Sequence, residues 1–263
     1  MSEVDISQQS KRQARKLFEY LADEYATERE RMPLYRLQLE FMLSALAKES
    51  GRILDIGCAA GGEIQNLRAR NFSVVGIDLS TRMLDFARAR FAADRKVLLC
   101  CADVEQLPFS SRSMDHVVCL GVFEYLPDYK GGLQEIHRVL RPGGTAIFAI
   151  PSRVSLVNLG ERLSNFTLGP LWRAAKRALG WKTSSEHLVP PHKRNLCVPW
   201  RYRALLRQEG FEPERSAYSA FLIYPLDRFT NLNIRVAKAL GPLCSVPLLR
   251  CGASVYMVIA RKQ

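Results

Sequence analysis

Arg52-Ile53-Leu54-Asp55-Ile56-Gly57-Cys58-Ala59-Ala60-Gly61-Gly62 is the stretch on which the reading of the fold turns. A short apolar run, Ile53 to Ile56, enters a turn of small residues, and a helical pattern starts soon after. Glycines at 57, 61 and 62 carry no side chain to hold a ligand off, so backbone N–H groups of the turn can approach it closely. Asp55 stands at the strand end. A carboxylate there accepts hydrogen bonds from amino or hydroxyl groups and repels a pyrophosphate, which suits a nucleoside carrying a zwitterion. Gly57, Ala59 and Gly62 also approximate the G-x-G-x-x-G dinucleotide pattern, so that reading stays open at this point.

Working outward, Val74-Val75-Gly76-Ile77-Asp78 reads as a second buried strand ending in an acid. An acid there suits a bidentate grip on ribose hydroxyls, and both cofactor classes still fit. Val97-Leu98-Leu99-Cys100-Cys101-Ala102-Asp103 supplies a third strand with a third acid just beyond it. Acids at three successive strand ends would line one crevice at the carboxyl edge of a parallel sheet. Asp103 is placed to accept from an exocyclic adenine amine, with the Val104 N–H offered to a ring nitrogen.

The run from about 52 to 151 resembles the class I S-adenosylmethionine-dependent methyltransferases, in their broad bacterial small-molecule group. The glycine turn carries the likeness, with Gly-Ile-Asp-Leu-Ser at 76–80 and Ala-Asp-Val-Glu-Gln-Leu-Pro-Phe at 102–109. So do Met-Asp-His-Val-Val-Cys-Leu-Gly-Val-Phe-Glu-Tyr-Leu-Pro-Asp at 114–128 and Arg-Val-Leu-Arg-Pro-Gly-Gly at 138–144. Two positions depart from the pattern: Ala59, often Gly in the family, and Tyr125, where many relatives carry His. The resemblance implies S-adenosylmethionine as cofactor, held by Tyr25, Asp55, Gly57, Ala59, Gly61, Asp78, Leu79, Met83, Asp103, Val104 and Leu120. It implies a Rossmann-like, doubly wound α/β fold, a seven-stranded, mostly parallel sheet whose last strand is antiparallel. It puts Glu124 and Tyr125 opposite the transferable methyl.

The pattern predicts helices at 10–31, 33–48, 62–70, 81–93, 130–140 and 200–209, the last capped by Gly210. Strands are predicted at 52–56, 73–77, 97–101, 115–120, 144–150, 211–221 and 253–260. Four segments follow. Residues 1–50 are expected to close over the cofactor, 51–151 to form the binding core, 152–199 to insert a basic helical lid, and 200–263 to complete the sheet around a helical insertion at 222–252.

Charge divides unevenly. Residues 1–150 hold 20 Lys and Arg against 20 Asp and Glu, whereas residues 151–263 hold 18 against 6, so the whole excess of +12 lies beyond the core. The excess belongs to whatever the C-terminal part meets: substrate, anionic surface or polyanion. Seven cysteines without a C-x-x-C pair read as buried thiols rather than as a metal site or a disulfide framework. The polar N-terminus and the lack of an apolar run of about 18 residues predict neither a secretory leader nor a membrane span, hence a cytoplasmic protein.

Methyl transfer from a sulfonium asks mainly for alignment, with a base only where the acceptor must lose a proton. Candidates for that base are His187 and His192, in Ser-Glu-His-Leu-Val-Pro-Pro-His, with Glu124 and Tyr125 as neighbours of the acceptor. His116 and His137 read as structural. By the resemblance, Tyr25 closes over the methionine end of the cofactor, though Phe18 and Tyr25 would equally pack as a helical stripe on the core. Arg173, Lys176 and Arg177 fall on one helical face opposite Leu171, Ala175, Ala178 and Leu179. Such a helix either seals the substrate pocket or touches an anionic membrane surface, and serves both for a lipid acceptor. The leading expectation is transfer to a small, largely apolar acceptor, lipid or isoprenoid-like. An RNA methyltransferase using the basic C-terminal surface is the alternative, and an inactive cofactor-binding interaction protein the third. Asp103 and the Arg-Pro-Gly-Gly run count against a nicotinamide cofactor.

Overall fold

The structure, a computed structural model, describes residues 3–154, 195–219 and 254–263. Strand β1 (Arg52–Ile56) is an interior strand of a seven-stranded sheet, next to the central one, and all its residues but Arg52 are buried. It pairs in parallel with β2 (Ser73–Asp78) on one side and β4 (Met114–Leu120) on the other. Strands β3 (Val97–Cys101) and β5 (Leu140–Pro151) extend the parallel array outward. Strand β7 (Val255–Lys262) then inserts antiparallel between β5 and β6 (Phe211–Ser219). The order is β3-β2-β1-β4-β5-β7-β6, the doubly wound arrangement with one reversed strand that the sequence implied.

Both faces of the sheet carry core. On one, α6 (Lys130–Val139) and α7 (Pro199–Gln208) bury Leu133, Ile136, Tyr202 and Leu206 against Leu54, Val117 and Phe148. On the other, α3 (Pro33–Ala45) and α4 (Gly62–Arg68) bury Met42, Ile64 and Leu67 against Ile53, Val74 and Ile147. Helix α5 (Thr81–Arg90) adds Leu84 there. Gly210, with φ 82°, adopts the left-handed conformation that ends α7, as expected.

Several features differ from expectation. The N-terminal helix is divided into α1 (Glu3–Tyr20), α2 (Ala22–Glu28) and a 3-10 turn, Arg29–Arg31. The break comes at Leu21, whose ψ of 1° departs from α geometry, and both Leu21 and Ala22 are buried there. Tertiary packing, which no local signal announces, redirects the chain. Helix α3 stops at Ala45, three residues short. Strand β5 starts at Leu140, because Leu140 pairs with Met114 before a register shift, so Arg141-Pro142-Gly143-Gly144 lies inside the strand rather than ahead of it. Among the thiols, Cys58, Cys119 and Cys197 are buried as expected, whereas Cys101 is exposed on β3, the sheet's edge. The expected lid helices, the insertion at 222–252, His187, His192 and the basic face at 173–177 lie outside the described residues.

Phe148 anchors the first core. It is fully buried, stacks on Phe123 with centroids 5.7 Å apart, and meets Tyr202 and Phe211 edge-on. Phe148→Ala is expected to lower unfolding free energy by about 3–5 kcal/mol. Urea denaturation checks this, and a loss below about 1 kcal/mol would show that the face repacks around the gap.

Candidate functional site

At the carboxyl ends of β1, β2, β3 and β4 a cleft of about 730 Å³, open to solvent, is lined by residues of every one of these edges and by α1 and α2. Asp78 organises one wall. Its Oδ2 accepts the Ala59 N–H at 3.0 Å and its Oδ1 the Ser80 N–H at 2.8 Å, joining the turn after β1 to the turn after β2. Burial pushes its carboxyl above the usual range, against the opposing pull of those backbone N–H groups. Each oxygen keeps a second lone pair, so the carboxylate can still accept from two hydroxyls.

The glycine turn works differently from its expected role. The N–H groups of Gly57 and Cys58 both donate to the Ile77 carbonyl, at 2.8 and 3.0 Å, Ala59 donates to Asp78, and Gly61 to the Cys58 carbonyl. These donors are consumed within the fold. What the turn offers a ligand is close approach. Ala59, with φ 46°, occupies the left-handed region that an L side chain enters only with strain. That is the physical reason for glycine at this position in the related pattern.

At the far end, Asp103 forms an Asx turn, its Oδ1 accepting the Glu105 N–H at 2.9 Å. Its Oδ2 receives the Lys11 ammonium at 2.5 Å, and Lys11 also pairs with Glu105. The two carboxylates raise the Lys11 pKa, although burial, the largest single influence, opposes them. At the near end, Tyr25 meets Phe18 edge-on at 5.6 Å, and Phe18 meets Tyr125 at 5.2 Å. Arg29 donates to the Tyr25 hydroxyl and, at 2.6 Å, to Glu63, which is 3% exposed. Sequence reasoning missed Arg29, Lys11 and Ser10. The spacing of Tyr25 and Arg29, four apart on one helix, was the available signal for the first.

Of the expected cofactor residues, Tyr25, Gly57, Ala59, Asp78, Leu79, Asp103, Val104 and Leu120 are brought together on the cleft wall, as is Tyr125. Asp55, Gly61, Met83 and Glu124 are not. Asp55 is buried behind the wall, near Glu63 and Arg29. Gly61 is the N-cap of α4 and faces Phe91, whose ring lies 2.5 Å from where a Cβ would stand. Met83 packs beneath Ala59 and Ala22 in a small buried cluster. Glu124 is buried and turned toward Gly121. His116 and His137 serve structure, His116 against the Ser50 carbonyl and Phe72, His137 edge-on to Phe211.

The donor set fits S-adenosylmethionine. Asp103 and Asp78 are acceptors for an amine and a pair of hydroxyls at one end, and Arg29 is a cation suited to a carboxylate at the other. Behind the wall, the buried Oδ2 of Asp55 has no hydrogen-bond partner within the protein. No group of His, Cys, Asp and Glu able to hold a metal occurs among the described residues.

Comparison with known proteins agrees with this geometry. Residues 54–148 match the family model described as a methyltransferase domain. A malonyl-[acyl-carrier protein] O-methyltransferase from Serratia marcescens is 36% identical over 110 residues, 42% of each chain. A demethylmenaquinone methyltransferase from Clavibacter sepedonicus is 34% identical over 140 residues, 52% of this chain and 56% of that one. The chain thus spans about half the length of the curated relatives it matches. An S-adenosylmethionine-dependent methyltransferase structure from Mesorhizobium loti superposes with a TM-score of 0.57 at 19% identity, covering 86% of this chain and 98% of that one.

Two substitutions test the site's electrostatics and strain. Ala59→Gly is expected to raise stability by about 1 kcal/mol, relief of left-handed strain exceeding the entropy cost of glycine. A fall in thermal midpoint would contradict it. Asp55 is the second. Burial, then Glu63, raises its pKa well above the ordinary 3.8, so the folded state holds its proton more tightly than the unfolded chain does. The wild type therefore loses stability as pH rises from about 4 and levels off once the folded-state pKa is passed. Asp55→Asn removes that loss, so its stability advantage should widen as pH rises from about 4 and vanish in acid. Denaturant midpoints measured from pH 4 to 8 check this, and a gap constant with pH would refute it.

Proposed function

We propose, starting from a core that is a class I S-adenosylmethionine-dependent methyltransferase domain, that this protein transfers the methyl group to a small, largely apolar acceptor of the lipid or isoprenoid-quinone kind. The observation that carries the acceptor class is the wall after β4. Val122, Tyr125 and Leu126 join Phe18 of α1 there in an apolar and aromatic surface beside the glycine turn. The demethylmenaquinone methyltransferase relative supports the same class.

The chemistry supplied by the bound cofactor is a methyl group already activated by sulfonium charge, so the chain's contribution is alignment and exclusion of water. Asp78 accepts the ribose hydroxyls while its backbone partners hold its carboxylate still. Asp103 accepts the adenine amine, and Arg29 receives the carboxylate with its guanidinium already fixed by Glu63. Tyr125 and Phe18 keep water from the acceptor side. Where an acceptor hydroxyl must lose its proton, His187 or His192 is the proposed base. A second reading rests on the Serratia relative: a malonyl group carried on acyl-carrier protein, its carboxylate met by the +12 excess of residues 151–263.

Two measurements test these assignments. With tritiated S-adenosylmethionine, label is expected in a demethylated prenyl naphthoquinol and not in tRNA. Label in a malonyl thioester of acyl-carrier protein instead would favour the second reading, and label in tRNA would overturn both. By calorimetry with S-adenosylhomocysteine, Asp78→Ala should lose about 10- to 150-fold in affinity, the worth of a hydrogen bond to a charged group. Unchanged affinity would remove Asp78 from the ribose site.

A further inference from the structure

We propose that Lys11 is a positioning residue of the cofactor site: by bridging Asp103 and Glu105 it clamps α1 over the adenine end of the cleft and so governs how fast the cofactor enters and leaves. The inference rests on the reading that the cleft takes S-adenosylmethionine with its adenine amine at Asp103.

Lys11, Ala14, Arg15 and Phe18 recur at three- and four-residue steps along α1, and all line the cleft. One stripe of this helix is therefore the roof of the cleft. The apolar hold on that roof lies toward its C-terminal end. There Phe18 packs, with Tyr25, on the small cluster of Ala22, Ala59 and Met83. Leu21 and Ala22, 3% and 0% exposed, anchor the chain where α1 gives way to α2. Toward the other end of the stripe the ties are polar. Lys11 reaches Asp103 and Glu105, and the neighbouring Ser10 donates its hydroxyl to the Tyr125 carbonyl at 2.7 Å. A roof pivoted at one end and held by charge at the other opens when the charge contact breaks.

The paired acids give the clamp a way to remain shut over a bound ligand. Both Asp103 oxygens are engaged, one by the Glu105 N–H and one by Lys11. An adenine amine arriving at Asp103 must share or take the oxygen that Lys11 uses. Glu105 offers the ammonium a second carboxylate, so Lys11 can yield Asp103 without releasing the roof. The side chain of Lys11 is only 16% exposed, which shields the bridge from solvent more than a surface pair.

The test compares wild type with Lys11→Met, which keeps the aliphatic stem, and Lys11→Arg, which keeps the charge. Surface plasmon resonance with S-adenosylhomocysteine is expected to give association and dissociation rates both raised about fivefold or more in Lys11→Met, and restored toward wild type in Lys11→Arg. Hydrogen exchange of residues 8–18 in the ligand-free protein should be faster in Lys11→Met alone. Unchanged rates and unchanged exchange in Lys11→Met would overturn the proposal. Loss of affinity with no change in exchange would also overturn it, since Lys11 would then hold the ligand and not the helix. The cofactor reading fails separately, if wild type does not bind S-adenosylhomocysteine or if Asp103→Asn leaves its affinity intact. The exchange comparison in ligand-free protein still judges the clamp in that case.

Discussion

Two backbone N–H groups, those of Ala59 and Ser80, converge on the single carboxylate of Asp78. This contact joins the turns that follow β1 and β2. Gly57 and Cys58 bind the Ile77 carbonyl one residue earlier, so β1 is tied to β2 through its last pairing and on into the turn. The arrangement explains why the glycine turn needs both small residues and a neighbouring acid. Small residues let the chain fold back tightly, and the acid satisfies a donor that would otherwise be buried without a partner. A cleft wall results whose polar groups are mostly committed to the protein, leaving carboxylate lone pairs to face the ligand.

The second constraint is a buried charge at the opposite end. Arg29 is held by Glu63, lies 5.1 Å from the Tyr25 ring centroid and 5.4 Å from that of Tyr35, and lines the cleft. Glu63 helps to raise the Asp55 pKa, whereas Arg29 lowers it, so the acids and the guanidinium form one electrostatic unit. Keeping Asp55 in that setting costs stability, and this is consistent with a site shaped for a zwitterionic ligand rather than for the empty protein. The aromatic series Tyr25, Phe18, Tyr125 then connects this unit to the wall after β4. The proposed cofactor and acceptor sides of the cleft thus share side chains.

Much of this was legible in the chain. Strands 52–56 and 97–101 fall on the expected residues because their apolar runs are short and bounded by turn residues. Asp78 and Asp103 reach the cleft because strand ends fix their position. Asp55, Gly61, Met83 and Glu124 belong to the same motifs but do not line the cleft, and motif membership alone cannot separate a residue on the wall from one behind it. The commitment of the turn's N–H groups was hidden because the accepting atoms, the Ile77 carbonyl and the Asp78 carboxylate, come from another strand. Lys11 escaped notice for a different reason. A lysine among the many charges of an N-terminal helix reads as solvated until the sheet brings Asp103 and Glu105 beneath it.

A crystal structure with S-adenosylhomocysteine bound tests the central claim most directly. The account requires the ribose hydroxyls on the Asp78 carboxylate, the adenine amine at Asp103 and the amino-acid carboxylate at Arg29, with the contacts from Ala59 and Ser80 to Asp78 retained. A ligand bound elsewhere, or one whose ribose avoids Asp78, would contradict it.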